Sequence, residues 1–306
     1  MKITAGVLLF LFTGIISLCL AETIDIIAIK SQDTIPYNTT LREFKDYLNR
    51  QHIEVRITEI ALRDKSQDEL LNISKVIKSI SPNLILALGT PAARLAQESA
   101  KNILVLCTMV LDPEASKIEP PGISIDIPIQ IKLRQLKRLL PDAKKIGLFY
   151  SPSTSNKCDE ASLISGRFGL EVVARKINSA KELPNAFKGL WRQIDCFLII
   201  PDSKIYSAKS VEYILIEAFR KKIPVIGLSS SYTKAGALIS FECNYENLGK
   251  QTAETALNML NGKDPASIGF LGPKEIDFSL NILAAKRLDI KLLPEIIKEA
   301  REVFGE

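Results

Sequence analysis

The residues of this 306-residue chain that could do chemistry stand singly, most of them just after short apolar runs. Thr90 follows Leu84–Leu88 and precedes Pro91, the order of a helix N-cap with proline at the first helical position. Such a helix start offers free N–H groups and a favourable field, which suits a ligand carboxylate or simply a cap. Asp202 comes after Cys196–Ile200 and Pro201, and Asp126 after Ser124. A desolvated carboxylate at either place is the counter-ion that an ammonium needs, though each also precedes a helix it could cap. Thr108, Asp112, Ser151 with Asn156, and Ser229 with Ser230 stand after other runs, where hydroxyls and amides bond ligands or make turns. Tyr37 adds a planar ring, for stacking on a ligand or lying on the surface.

The parts of an enzyme are scarce. His52 is the single histidine, and the Gly-x-Ser-x-Gly, P-loop and Gly-x-Gly-x-x-Gly patterns are missing. Cys107, Cys158, Cys196 and Cys243 are far apart with no Cys-x-x-Cys pair, so neither a metal nor another cofactor is expected. The sequence does not pair them into disulfides, and Cys107 and Cys196 sit inside apolar runs as buried small residues do. Net charge is +5, from 40 basic and 35 acidic residues well interspersed, which is not a nucleic-acid footprint. A non-catalytic binder is the expectation. Two alternatives stay open: a ligand-sensing module for a membrane receptor, and a two-lobed glycosyltransferase-like enzyme using paired carboxylates.

The elements that must position these residues alternate. Strands are expected at Ile24–Ile29, Ile53–Ile57, Leu84–Leu88 and Ile103–Cys107, with helices at Thr40–Arg50, Gln67–Ile80 and from Thr90 to Ala100. Pro113 to Pro128 then carries four prolines and reads as a crossing between lobes. A second series follows, with strands at Lys145–Tyr150, Glu171–Arg175, Cys196–Ile200, Pro224–Leu228, Ala237–Phe241 and Ile276–Leu280. Its helices are Ile129–Leu140, Asn156–Gly169, Ala180–Gln193, Ala208–Arg220, Tyr245–Asn261 and Leu293–Phe304. Continuous apolar strands between helices mean parallel sheets covered on both faces, here two doubly wound α/β lobes. The expected division is 22–124 with 243–281, and 125–242 with 282–306, bending near 123–127, 241–244 and 280–283. Ligands bind beyond the carboxyl ends of such strands, so two facing lobes share one cleft.

Ahead of the lobes, Lys2 and the apolar run from Val7 to Leu20 lead to Cys19-Leu20-Ala21, the layout of a cleavable signal peptide over residues 1–21. Leu18 is larger than lipoprotein processing accepts, which speaks against a lipid anchor at Cys19. The mature protein is expected in the periplasm as a monomer.

An ordered series of motifs carries a family resemblance. It comprises Gly89-Thr90-Pro91-Ala92-Ala93, Leu111-Asp112-Pro113, Leu139 to Pro152, Ile200-Pro201-Asp202, Lys234 to Leu238, Leu248 to Gln251, Leu260 to Pro265 and Asn281 to Leu288. Together they resemble the ABC-transporter substrate-binding family that includes tryptophan- and phenylalanine-binding members, with the type I periplasmic binding protein fold. The resemblance implies a small-molecule ligand, aromatic amino acid or other polar solute, held by lobe closure, and a membrane permease as partner.

Overall fold

Among the described residues thirteen short strands form, and their pairing sorts them into two sheets. The structure is a computed structural model and describes residues 23–100 and 102–305; the segment 1–21, expected as a signal peptide, lies outside the described residues. The first sheet is built from β1 (Ile24–Lys30), β2 (Val55–Ala61), β3 (Leu84–Leu88), β4 (Leu104–Val110) and β5 (Gly122–Ser124). The second contains β6 (Lys145–Tyr150), β7 (Glu171–Lys176), β8 (Cys196–Leu198), β9 (Val225–Gly227) and β10 (Ile239–Cys243). Late in the chain, β11 (Phe270–Leu271) returns to the edge of the first sheet, while β12 (Ile276–Asn281) and β13 (Glu302–Phe304) extend the second. The orders are β2-β1-β3-β4-β5-β11 and β7-β6-β8-β9-β10-β12-β13. Pairing is parallel throughout except between β10 and β12.

The buried strands explain why both faces are covered. All five residues of Leu84–Leu88 are inaccessible, as a strand sandwiched between helix layers requires. On one face of the first sheet, Leu41, Phe44 and Leu48 of helix Ile35–Arg50 pack with Leu248 and Met259 of helix Tyr245–Leu260. Gly249 sets the spacing of those helices: a Cβ there would lie 2.5 Å from the Thr40 carbonyl. The other face is closed by Ile77 and by Ala92, Ala93 and Ala96. The second sheet has the same plan, with Leu133 and Leu136 on one face and Phe149, Phe187 and Ile214 on the other.

Three crossings join the sheets and lie side by side. The first runs from Ile125 to Pro128, the second is Asn244, and the third occupies 272–275. Cys243 Sγ donates to the Ile125 carbonyl at 3.4 Å, and Asn244 N donates to the Glu275 carbonyl at 3.2 Å. The third crossing therefore precedes β12 instead of following it near residue 281, and β12 leaves the first lobe. Ile276–Asn281 is apolar enough for either sheet, and its antiparallel ladder with β10 decides the matter.

Two helices also differ from expectation. Ala180–Gln193 is broken into short turns at Ala180–Glu182, Leu183–Ala186 and Leu190–Arg192, as Pro184 and the positive φ of Gly189 demand. The terminal helix stops at Glu299, Ala300 is extended, and Glu302–Phe304 pairs with Ser279–Asn281.

Candidate functional site

The order 2-1-3-4-5 at the start of each sheet puts a switch point between β1 and β3 and another between β6 and β8. Crevices for ligands open there, outside the carboxyl ends of the strands. One side chain shows that the two carboxyl edges face each other. Lys157, three residues into helix Ser155–Ser165 beyond β6, reaches Asp112 beyond β4 with Nζ 3.3 Å from Oδ2. The same ammonium pairs with Asp126 in the first crossing. Burial pushes the Lys157 ammonium down, but Asp126 and Asp112 together outweigh that and hold it above the ordinary lysine range.

In the first lobe, Gly89 is the N-cap of helix Thr90–Ser99, with φ of 88°, and Thr90 is already helical. The cap therefore has no side chain. Ser31 Oγ substitutes, accepting from Ala92 N at 3.0 Å and occupying one of the N–H groups expected to be free. A Cβ on Gly89 would lie 2.7 Å from both Ser31 Oγ and the Tyr37 hydroxyl, so the tyrosine sits over the helix start. Tyr37 belongs to the first turn of helix Ile35–Arg50, not to a loop after β1, because Pro36 is tolerated in a first turn. Thr90 and Tyr37 are half-buried, and Pro91 is exposed beside them. Thr108 does not join them: it is fully buried and its hydroxyl lies 3.1 Å from Thr252 Oγ1 in the core.

In the second lobe the loop residues are largely committed to one another. Asp202 is 6% exposed and accepts from Thr154 Oγ1 at 2.6 Å, Ser151 N at 3.1 Å and Lys204 N at 2.9 Å. Burial pushes its carboxyl up, yet these hydrogen bonds hold it below the usual carboxylate range. Ser151 is fully buried, with Oγ 2.7 Å from Ser153 Oγ. Asn156 is exposed and accepts from the Lys157 backbone N–H. Ser229 pairs with Ser231 at 2.7 Å, and Ser230 opens the helix Ser230–Ala235; both are half-buried beyond β9. Asp112 caps Pro113–Ser116 through Ala115 N at 3.0 Å while it meets Lys157.

Beside the first crossing is a recess of about 230 Å³, bordered by Asp126, Lys132, Lys157, Glu160, Ile200 and Pro201. The rule that sites follow strands reaches neither lysine, since both lie within helices. A signal was nonetheless present for Lys132, which shares the apolar stripe of Ile129, Leu133 and Leu136. A larger groove of about 890 Å³ runs between helices Ala208–Arg220 and Ile282–Arg287 and shares no residue with this recess. The four cysteines, buried with free thiols, take no part in the recess.

Two sheet lobes with opposed carboxyl edges and three adjacent crossings define a two-lobed α/β binding protein. Residues 24–304 match the model of the family "ABC transporter substrate binding protein", and the chain belongs to that family. Family and fold are those of substrate-binding proteins, not enzymes, which sets the glycosyltransferase-like reading aside. A tyrosine-binding protein of Clostridioides difficile is 30% identical over 234 residues, 72% of this chain and 67% of that one. The ligand-free, open structure of a substrate binding protein with adhesive properties from Clostridium difficile superposes with a TM-score of 0.79 at 25% identity. It covers 93% of this chain and all of that one. An ABC domain from Streptococcus pneumonia in complex with L-Trp shares the fold, with a TM-score of 0.63 at 19% identity over 92% of this chain and all of that one. Among the described residues no helix is long and apolar enough to cross a membrane.

Proposed function

We propose that this chain is the extracytoplasmic binding component of an ABC importer and closes its two lobes over a free amino acid. The observation that carries the reading is the reach of Lys157 to Asp112, which puts both carboxyl edges at one gap. The tyrosine-binding relative makes L-tyrosine the first ligand to test. Residues 1–21 act as a cleaved leader, and the mature chain works in the periplasm as a monomer. Closure bends the crossings at 125–128, 244 and 272–275, and a ligand touching both lobes favours the closed form by its differential affinity. That form then docks on a membrane permease.

The test is native mass spectrometry of the purified protein, followed by titration of ligand-stripped protein with L-tyrosine, L-tryptophan, L-phenylalanine and the remaining amino acids. Ligand at a hundred times its Kd adds about 2.7 kcal/mol of stability, and the melting point should rise accordingly. Small-angle scattering should show compaction with the same ligand. A chain that no amino acid stabilises or compacts would overturn the proposal.

A further inference from the structure

Lys132 stands one turn into helix Ile129–Leu139, directly after the first crossing, and is 6% exposed. Among the described residues, no hydrogen bond or ion pair reaches its ammonium, which borders the recess. The other charges there are differently placed. Lys157 is held by Asp126 and Asp112, and Glu160 is exposed to water. Lys30, at the end of β1 and the other buried lysine among the described residues, has its full set of partners in Asp33, Asn38 and Glu59. Burial depresses the Lys132 ammonium, and the groups around it are Asp126 of the first crossing, Cys243 at the end of β10, and Lys157 and Glu160 of helix Ser155–Ser165. The stem is buried and only the ammonium opens on the recess. A charge so little hydrated and without a protein partner is costly, and an arriving anion lowers that cost.

We propose that this recess is a carboxylate subsite in which Lys132 is the counter-ion of the bound solute. The inference rests on the reading of the chain as a binder of a small solute. It places the solute's acidic group on the second lobe, not on the helix start at Thr90, where Ser31 already accepts from Ala92 N. With about 230 Å³, less than the roughly 300–1,000 Å³ typical of ligand pockets, the recess takes a carboxylate and a few adjoining atoms. The rest of an amino acid would project into the gap, towards Lys157 and Asp112.

The experiment compares the wild type with Lys132→Met, which keeps the stem and removes the charge. L-tyrosine and tyramine, its analogue without the carboxylate, are titrated calorimetrically. Wild type should prefer L-tyrosine by about 100-fold, in line with the loss of a buried charge pair, and Lys132→Met should lose that preference while keeping its affinity for tyramine. In the absence of ligand, Lys132→Met should melt no lower than wild type, because an unpaired buried charge has been removed. Sodium acetate, against sodium chloride at equal ionic strength, should raise the wild-type melting point by about 2 °C and leave that of the variant unchanged. Should Lys132→Met not fold, Lys132→Gln supplies the same readouts. Equal preference for L-tyrosine in wild type and variant overturns the subsite while the amino-acid reading stands. An acetate response that depends on Lys132, with no amino acid bound, upholds the subsite and overturns that reading. A lower melting point of the ligand-free variant, with acetate without effect on either protein, makes Lys132 structural and refutes the inference.

Discussion

Replacing Lys157 with methionine keeps the hydrocarbon stem and deletes a charge that spans the gap. At 3.3 Å from Asp112, and with an effective dielectric constant of about 20, a single pair is worth roughly 5 kcal/mol before desolvation and ordering are subtracted. Exposed pairs retain about 0–1 kcal/mol, and breaking a buried one costs about 3–5 kcal/mol. The three side chains are 14%, 22% and 31% exposed for Lys157, Asp112 and Asp126, between those limits. A loss of about 2 kcal/mol is therefore expected for Lys157→Met. The Asp112 share of it, about 1–2 kcal/mol, acts between lobes and shifts the closed-to-open ratio of the ligand-free protein by about 5–30-fold.

The assay is a double-mutant cycle with Asp112→Asn, read as melting points and as the radius of gyration from small-angle scattering. Each single variant should expand the ligand-free protein, and the double variant should add little beyond either. A pH series checks the sign. The folded-state pKa of Lys157 is raised, so its stabilisation is fully present below the unfolded value of about 10.4 and is lost as pH climbs through the folded value. Wild type should thus expand in that alkaline range, whereas Lys157→Met should not change there. Fully additive melting points with an unchanged radius would refute the idea that this contact holds the lobes together.

Asp202→Asn should cost about 1–3 kcal/mol by chemical denaturation, since it weakens an acceptor committed to Thr154, Ser151 and Lys204. The lowered pKa of Asp202 gives the pH sign: its contribution is present above the unfolded value of about 3.9 and disappears on acidification through the folded value, a loss the variant should not show. Gly249→Ala should lower stability by about 1–3 kcal/mol in a thermal melt, because its methyl group would force helices Ile35–Arg50 and Tyr245–Leu260 apart. Burial pushes the thiols of Cys107 and Cys243 up to about 12 and raises those of Cys158 and Cys196 as well. A thiol reagent at pH 8 should leave all four unlabelled in the folded protein and label all four in guanidinium.

Runs such as Leu84–Leu88 are legible from sequence because a strand covered on both faces must be apolar at every position, and a helix must then follow. What local pattern does not encode is the choice of sheet. Ile276–Asn281 reads as a strand, but only its ladder with β10 assigns it to the second lobe and moves the third crossing back to 272–275. The site divides along the same line. Position after a strand points to the carboxyl edges, but it says nothing about whether a polar group is already spent on its neighbours. Asp202, Ser151 and Thr108 are spent, on partners 48 to 144 residues away or on an adjoining turn. Lys132 and Lys157 are the converse case: basic residues in amphipathic helices pass for solvated charges until packing decides. For Lys132 the helical phase already argued otherwise, since a lysine in step with Ile129, Leu133 and Leu136 must be buried when they are. No comparable phase exists for Lys157, whose helix has no pronounced apolar stripe; its role follows only from the facing of the two edges, which no local reading contains.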